Sequence, residues 1–455
     1  MPDAAVYDPR FDPLTAREPA ACSDYAPTYW VATAGAPPPD DGRVTGDMDV
    51  DVAVIGAGFT GLACALFLAR EHGIRATVLE ANGVAWGCTS RNGGQGQLAS
   101  GRLYRSQWIE RWGRDIALRL HAEILEGFET FRELVREIDC DAREEGHLLI
   151  AHRRKKMDFI RSESSVMNRV FGCRTEVLDR DAVHARYVND AECQGALFEP
   201  DGICVHPLKL AYGYLRKARE AGARVHTASP VLDWVSHNGV HRLRTPGGTV
   251  RARAVAVATG AYAPQTLHPL LRGRIYPVLS NSIVTRVLEP AELDACKLET
   301  GAALTDTRTL RYYYRRLPDG RLQIGSRSAV TGADAQNPVH LRRLTQGLAK
   351  KFPALARVPI EYSWWGWVDV SHDMMPRVAR PDAREAVHYA LGYGGNGVSY
   401  SAQAGRRMAQ RIAGRGGDWD LPIFDSALPA HPLAPLRRLG QRMLYVWHNL
   451  RDEVL

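Results

Sequence analysis

The sequence predicts an α/β fold in which a parallel, nucleotide-binding sheet is interleaved with an α+β domain built on an antiparallel sheet. Three observations predict it. A β-α-β unit containing a glycine turn begins near Asp49, a second glycine turn follows the last strand at Gly392, and residues 275–367 alternate in the manner of an antiparallel sheet. At 455 residues the chain is too long for one ordinary core, so two interleaved domains are expected.

Residues 1–48, rich in Pro, Asp and Ala and including Pro37-Pro38-Pro39, read as an irregular arm that wraps the body. Residues 49–55 form a Val-rich strand, 59–72 a helix and 75–80 a second strand. From 107 to 186 the pattern is mostly helical, with charges interleaved among Leu, Ile and Phe. Residues 206–220 read as a helix, 224–225 as a strand, and 250–258 as a strand closing on Thr259-Gly260. The stretch 387–391 is the last strand, 398–413 a helix, and 433–454 an amphipathic basic helix. The nucleotide-binding domain is therefore placed at 49–105, 190–274 and 370–425. The substrate domain takes 106–189 and 275–369, and 426–455 form a helical tail.

The composition, 45% hydrophobic and 24% charged, is that of a folded globular protein. Its net charge of +7 is carried almost wholly by arginine, with one tight basic run at 153–156 that reads as a solvated helix face. No nucleic-acid module accompanies it, so the excess points to solubility and an anionic small molecule, with no nucleic acid as partner. The eight cysteines are scattered without a C-x-x-C pair, which implies reduced thiols, no metal site and a cytoplasmic setting. The longest apolar stretch, at 62–69, falls far short of the ~20 residues that a membrane span needs. No signal peptide is legible.

Gly56-Ala57-Gly58-Phe59-Thr60-Gly61 is a G-x-G-x-x-G placed after a strand and opening a helix. Gly56 allows the tight turn, Gly58 lets backbone approach a pyrophosphate, and Gly61 lets the helix pack on the strand. The phosphates then meet the free N–H groups and the dipole of the helix N-terminus, at Phe59 and Thr60. Glu80, followed by Ala81, closes the next strand and can accept hydrogen bonds from an unphosphorylated ribose, which disfavours NADP. The unit is Rossmann-like. Gly392-Tyr393-Gly394-Gly395-Asn396-Gly397 matches the same pattern but has no following strand to carry an acid. It reads instead as a strand ending at a helix N-terminus, continued by Val398, whose dipole faces a flavin ring. One nucleotide is therefore expected, FAD, with electrons coming from an organic substrate. Ser90-Arg91-Asn92-Gly93-Gly94-Gln95 suits backbone and Arg91 contacts to that cofactor, the alternative being a polar surface turn. Cys88 reads as a small packed residue in preference to a covalent flavin link.

With these residues in view, the chain resembles the D-amino-acid-oxidase-like FAD oxidoreductases, and most closely their gamma-glutamylputrescine oxidase branch. The resemblance runs through Tyr29-Trp30, the first glycine motif with Glu80, and the stretch from Ser90 to Gln95. It continues through Val205-His206-Pro207-Leu208, Ala258-Thr259-Gly260 and the late glycine motif. It implies a discontinuous FAD domain, a substrate domain whose sheet roofs the flavin, and Val231 as the residue whose backbone touches adenine. Two positions depart from the amino-acid oxidases of the family. In Gly366-Trp367-Val368-Asp369 the valine stands where an arginine is usual, and Ala379 replaces a glycine. The missing arginine argues against a simple α-amino acid as substrate.

Amine oxidation needs a neutral nitrogen and its α-C–H held against the flavin. An apolar aromatic roof lowers an ammonium pKa by desolvation, and Tyr312-Tyr313-Tyr314 and Trp364-Trp365-Gly366-Trp367 are the candidates for that roof. Alternation leaves open whether Tyr312 with Tyr314, or Tyr313 alone, faces inward. His206, Tyr313 and Trp365 are the candidates beside the reacting atoms, with His206 as acid or base or else as a structural helix start. His372 and Asp373 are more distant candidates. By similarity Arg315, or failing it Arg316, anchors an anionic end of the substrate, with Tyr312, Tyr314 and Trp367 around it. The expected reaction is oxidation of an amine, such as a γ-glutamyl or other carboxylate-bearing amine, to an imine that hydrolyses to an aldehyde, with dioxygen as acceptor. The alternatives are a dehydrogenase that passes electrons to a quinone or carrier protein, and a flavoprotein subunit completed by a partner chain. Either is compatible with an oligomer.

Overall fold

In strand Met48–Ile55 the first four residues are exposed or half-buried and the last four, Val52 to Ile55, are all buried. The second half is thus a central strand covered on both faces. In the computed structural model, which describes residues 10–430 and 433–453, this strand pairs in parallel with Thr77–Leu79 on one side and Gly248–Val257 on the other. Arg224–His226 and Val387–Leu391 extend the parallel sheet outward, and Arg377–Ala379 closes one edge antiparallel. Gly248–Val257 serves two neighbours: its last residues pair with Val387–Leu391, its first with the hairpin Asp233–His237 and Val240–Thr245. The expected strands are present, and the hairpin is an addition.

Helix Phe59–His72 follows the first strand at the predicted positions, capped at its end by Gly73 in the left-handed region. Its residues from Phe59 to Leu68 are all buried, since Tyr400–Ile412 and Pro207–Glu220 pack against it. Gly405 makes the first of these contacts close. A Cβ there would lie 2.7 Å from the backbone of Thr60 and Cys64.

The second sheet is antiparallel except for one pair. Its order is Ile360–Ser371, Ile275–Thr285, Leu322–Arg327, Tyr313–Arg316, Ala303–Asp306, His147–Ile150, Gly195–Glu199 and Glu176–Asp179. Ala303–Asp306 and His147–Ile150 form the parallel pair. Two of these strands fall within the stretch read as helical. His147–Ile150 and Glu176–Asp179 have four residues each; the first lies between the helices Arg105–Glu137 and Lys156–Phe171 and the second between Lys156–Phe171 and Arg180–Arg186, whose periodicity dominates any wider window. The basic run 153–156 is correspondingly a turn that ends on the first residue of the second helix, Lys156. Gly195–Glu199 belongs to the antiparallel sheet, so after residue 190 the chain stays with that sheet for one more strand.

The arm is tied to the loop around Trp86–Asn92 and to the turn at Gly332. Trp86 Nε1 donates to Asp24 O at 2.7 Å, Trp30 Nε1 to Asn92 O at 2.8 Å, and Gly332 N to Asp12 at 3.0 Å. It holds a short helix, Tyr29–Thr33, and its residues before Arg10 lie outside the described part. The tail helix spans Arg437–Glu453; the predicted end at Val454 also lies outside. Among the described residues no helix is long and apolar enough to cross a membrane.

Candidate active site

The first glycine turn opens where the strand Met48–Ile55 must pass directly into a helix. Gly56 has φ +104°, a conformation that side chains rarely adopt. Gly61 faces back onto it, where a Cβ would collide with the Gly56 carbonyl oxygen. Beside the turn, Glu80 is half-buried and accepts from Ala57 N at 2.8 Å and Asn82 N at 3.0 Å. Desolvation pushes its carboxyl up, opposed by the backbone amides of Ala57, Asn82 and Ala81.

A cavity of about 1220 Å³ runs past this turn. Its lining joins Gly56, Gly58, Phe59, Thr60, Glu80 and Ala81 to Asn92, Val231, Thr259 and Gly260, and these to Gly395, Gly397 and Val398. The two glycine turns thus face one cavity, and the first helix is tied to the late turn by a hydrogen bond of 2.9 Å between Thr60 Oγ1 and Tyr393 Oη. Thr259 Oγ1 is buried on this wall without a partner among the described residues. An unpaired hydroxyl, a glycine-lined approach and a helix N-terminus fit the pyrophosphate and ribityl chain of a dinucleotide.

The late turn is shaped by Gly394 and Gly395, with φ +67° and +94°. Asp369 holds it: its carboxylate accepts from Gly392 N at 2.6 Å and its carbonyl from Gly394 N at 2.8 Å. Burial raises the Asp369 carboxyl to about 6.

A second cavity of about 790 Å³ adjoins the first, sharing Cys88, Asn92, Val368, Gly395 and Val398 with it. Arg91, Gly93, Gln95, Asn396 and Tyr313 line this inner chamber, as do three arginines that the sequence did not single out: Arg102, Arg311 and Arg327. No carboxylate lines it among the described residues. Burial and the neighbouring charges of Arg311 and Arg327 hold the Arg102 guanidinium well below its ordinary range. Tyr313 spans the chamber, its ring against Gly93 and its hydroxyl bonded to Ser280 Oγ at 3.1 Å and Ser282 Oγ at 2.8 Å. Cys88 sits at the junction with its thiol pushed up to about 12 by burial, a packed thiol and not a thiolate.

Four of the predicted cofactor residues line neither cavity but build the walls. Gly61 and Gly94 permit close backbone approaches, Gly394 lies against Arg102, and Ser90 donates to Trp86 O at 3.0 Å. The substrate candidates divide by strand alternation. Tyr313 faces the chamber; Tyr312 and Tyr314 face away, Tyr312 against Gly347 and Tyr314 in the core with its hydroxyl on Asp190. On strand Ile360–Ser371 it is Gly366 and Val368 that line the chamber, while Trp365 and Trp367 pack on the far face with Leu279 and Ala329.

Arg315 shares the Tyr313 face but stops short of the chamber. It is buried, donates to Val205 O at 2.8 Å and Gly94 O at 3.3 Å, and lies over the Trp30 ring. Arg316 donates to Leu298 O at 2.9 Å. His206 caps helix Pro207–Glu220: its Nδ1 accepts from Lys209 N at 3.2 Å and its Nε2 meets Thr33 Oγ1 at 3.0 Å. Burial lowers its imidazole to about 4, so it is a neutral cap, and it lines neither cavity. His372 contacts Gly273 O, and Asp373 pairs with Arg377.

A nucleotide cavity between two glycine turns, opening onto a cationic chamber under an antiparallel sheet, defines a dinucleotide-dependent oxidoreductase. The profile of the FAD dependent oxidoreductase family, DAO, matches residues 51–411. Gamma-glutamylputrescine oxidoreductase of Escherichia coli strain K12 is 32% identical over 95% of this chain and 99% of its own. The sarcosine oxidase subunit beta of an Arthrobacter species is 25% identical over 80% of this chain and 87% of its own. Among solved structures, glycine oxidase from Geobacillus kaustophilus superposes with a TM-score of 0.69 at 23% identity, covering 84% of this chain and 99% of its own. The chain belongs to the DAO family of FAD-dependent oxidoreductases, whose members named here carry the names of amine and amino-acid substrates.

Proposed function

We propose that this chain binds one FAD in the larger cavity and oxidises an amine that carries a carboxylate, with a γ-glutamyl amine as the leading example. The observation that supports it most is the inner chamber: Arg91, Arg102, Arg311 and Arg327 around Tyr313, with no acid among the described lining residues. Val368 stands at the junction of the two cavities, where amino-acid oxidases of the family carry an arginine. The carboxylate anchor is thereby moved away from the flavin edge and deeper into the chamber, which suits a substrate whose acid group is several bonds from the reacting carbon.

FAD, when bound, supplies the two-electron acceptor for the hydride on the carbon next to nitrogen. The chain's own groups do the rest. Guanidinium groups pair with the carboxylate through bidentate hydrogen bonds and fix the substrate's orientation. The same positive charges disfavour a nearby ammonium, so the reactive neutral amine is favoured without a strong base. Burial holds the Tyr313 phenol above its ordinary range, which makes it a hydrogen-bond donor in place of a base. The amine gives up a hydride and its N–H proton. Water converts the imine to aldehyde and amine or ammonia, and dioxygen takes two electrons and two protons to give peroxide.

The test is anaerobic mixing of holoprotein with paired amines that differ only in a carboxylate. Acidic amines should bleach the flavin and neutral ones should do so poorly. Arg311→Met or Arg327→Met should raise KM for the acidic amine about tenfold or more. Equal handling of both partners of each pair would overturn the reading. A second reading keeps the chemistry and replaces dioxygen with a quinone or carrier protein. It is favoured by the tail helix, which exposes Leu439, Met443, Val446 and Trp447. Peroxide formed per amine consumed in air separates the two.

A further inference from the structure

A third cavity, about 1130 Å³, lies on the far side of the antiparallel sheet from the nucleotide, between helix Pro338–Lys351 and the C-terminal helix. It has no part in the chemistry above. We propose that it is the vestibule through which an anionic amine reaches the inner chamber, with Arg327 as the threshold between them; this rests on the reading of the substrate given above.

Position supports this first. Arg327 lines both cavities, and the segment Arg308 to Arg311 runs from one to the other, with Arg308 and Leu310 on the vestibule wall and Arg311 in the chamber. Tyr445 of the C-terminal helix lines the vestibule, and its phenol is close enough to Arg327 and Arg102 to feel their charge. The C-terminal helix thus walls a passage whose inner end is the arginine group of the chamber.

Charge supports it independently. Among the described residues Arg308, Arg327, Arg343, Lys350 and His340 line the vestibule against one carboxylate, Asp452. That carboxylate is taken up by the Thr309 amide at 2.7 Å. Arg308 is neutralised by Asp306 and Glu192, and His340 meets Asp334. Arg343 is exposed and forms no ion pair with a described residue, and neither does Arg327. Two guanidiniums without an ion pair among the described residues therefore mark the mouth and the inner end of the passage. A cleft with one sign of charge concentrates ligands of the other sign and speeds their capture.

The test uses full-length holoprotein and compares wild type with Arg343→Glu, a surface change. Capture is followed as the second-order rate of flavin spectral change on mixing with glutarate, which cannot be oxidised, and as kcat/KM for an acidic amine. At about 10 mM salt, where the Debye length is ~30 Å, both should fall about 3- to 10-fold. The deficit should close at about 0.5 M salt. Arg253→Glu, an equal charge change on the nucleotide sheet where the side chain is 84% exposed, should leave both rates as in wild type. A rate for Arg343→Glu equal to wild type at low salt overturns the vestibule, as does an equal deficit in Arg253→Glu. Failure of acidic amines to bleach even the wild type would instead strike the proposed substrate, while the glutarate arm still reports on the passage.

Discussion

Arg315 is gripped by two backbone carbonyls and an indole face, so its replacement acts on folding. It bridges the Tyr313–Arg316 strand to the loops at Gly94 and Val205 and stacks on Trp30 of the arm. Arg315→Ala removes charge-assisted hydrogen bonds and packing together, a loss of about 2–4 kcal/mol. Urea unfolding should show that loss, and kcat/KM should change alike for acidic and neutral amines. A selective loss for acidic amines would return Arg315 to the substrate. His206 carries a pH signature. Folded, its imidazole stays neutral down to about pH 4, whereas in an unfolded chain it takes up a proton near pH 6.5. Between those values the unfolded state binds more protons, so stability is full above about pH 6.5 and falls as the pH drops toward 4. The contribution is on the order of 3 kcal/mol. His206→Asn keeps a helix cap and should flatten that part of the curve in urea midpoints measured against pH. An unchanged curve would show that His206 is not buried neutral.

At the scale of one strand, alternation separates function from stability within three consecutive tyrosines. Tyr314→Phe leaves the buried Asp190 carboxylate without the phenolic donor, costing about 1–3 kcal/mol with little change in KM. Tyr313→Phe loses the bonds to Ser280 and Ser282 inside the chamber and should alter KM with little change in stability. Steady-state kinetics beside thermal unfolding checks both, and the reverse pattern would contradict the register. The sequence could not settle which face looks inward, because a four-residue strand alternates equally well either way. Only its pairing with Leu322–Arg327, which sets Tyr313 opposite Gly325, decides it. By contrast the first glycine motif and the helix Phe59–His72 were legible to the residue, since each glycine there answers a local demand of the strand–turn–helix. The chamber was illegible for the opposite reason. Arg102, Arg311 and Arg327 come from three separated segments of a chain already crowded with arginine, and nothing local distinguishes them.

Across the whole molecule, two glycine turns more than three hundred residues apart meet at one cavity because helices Phe59–His72 and Tyr400–Ile412 pack side by side, with Gly405 at their contact and Thr60 bonded to Tyr393. A single nucleotide held across both turns is the claim on which substrate, vestibule and acceptor all depend. It is tested most directly by denaturing the purified protein and identifying the released nucleotide by chromatography and mass spectrometry. The expected result is one FAD per chain and no nicotinamide nucleotide. A chain that neither carries nor takes up FAD, or that releases NAD or NADP instead, would contradict it.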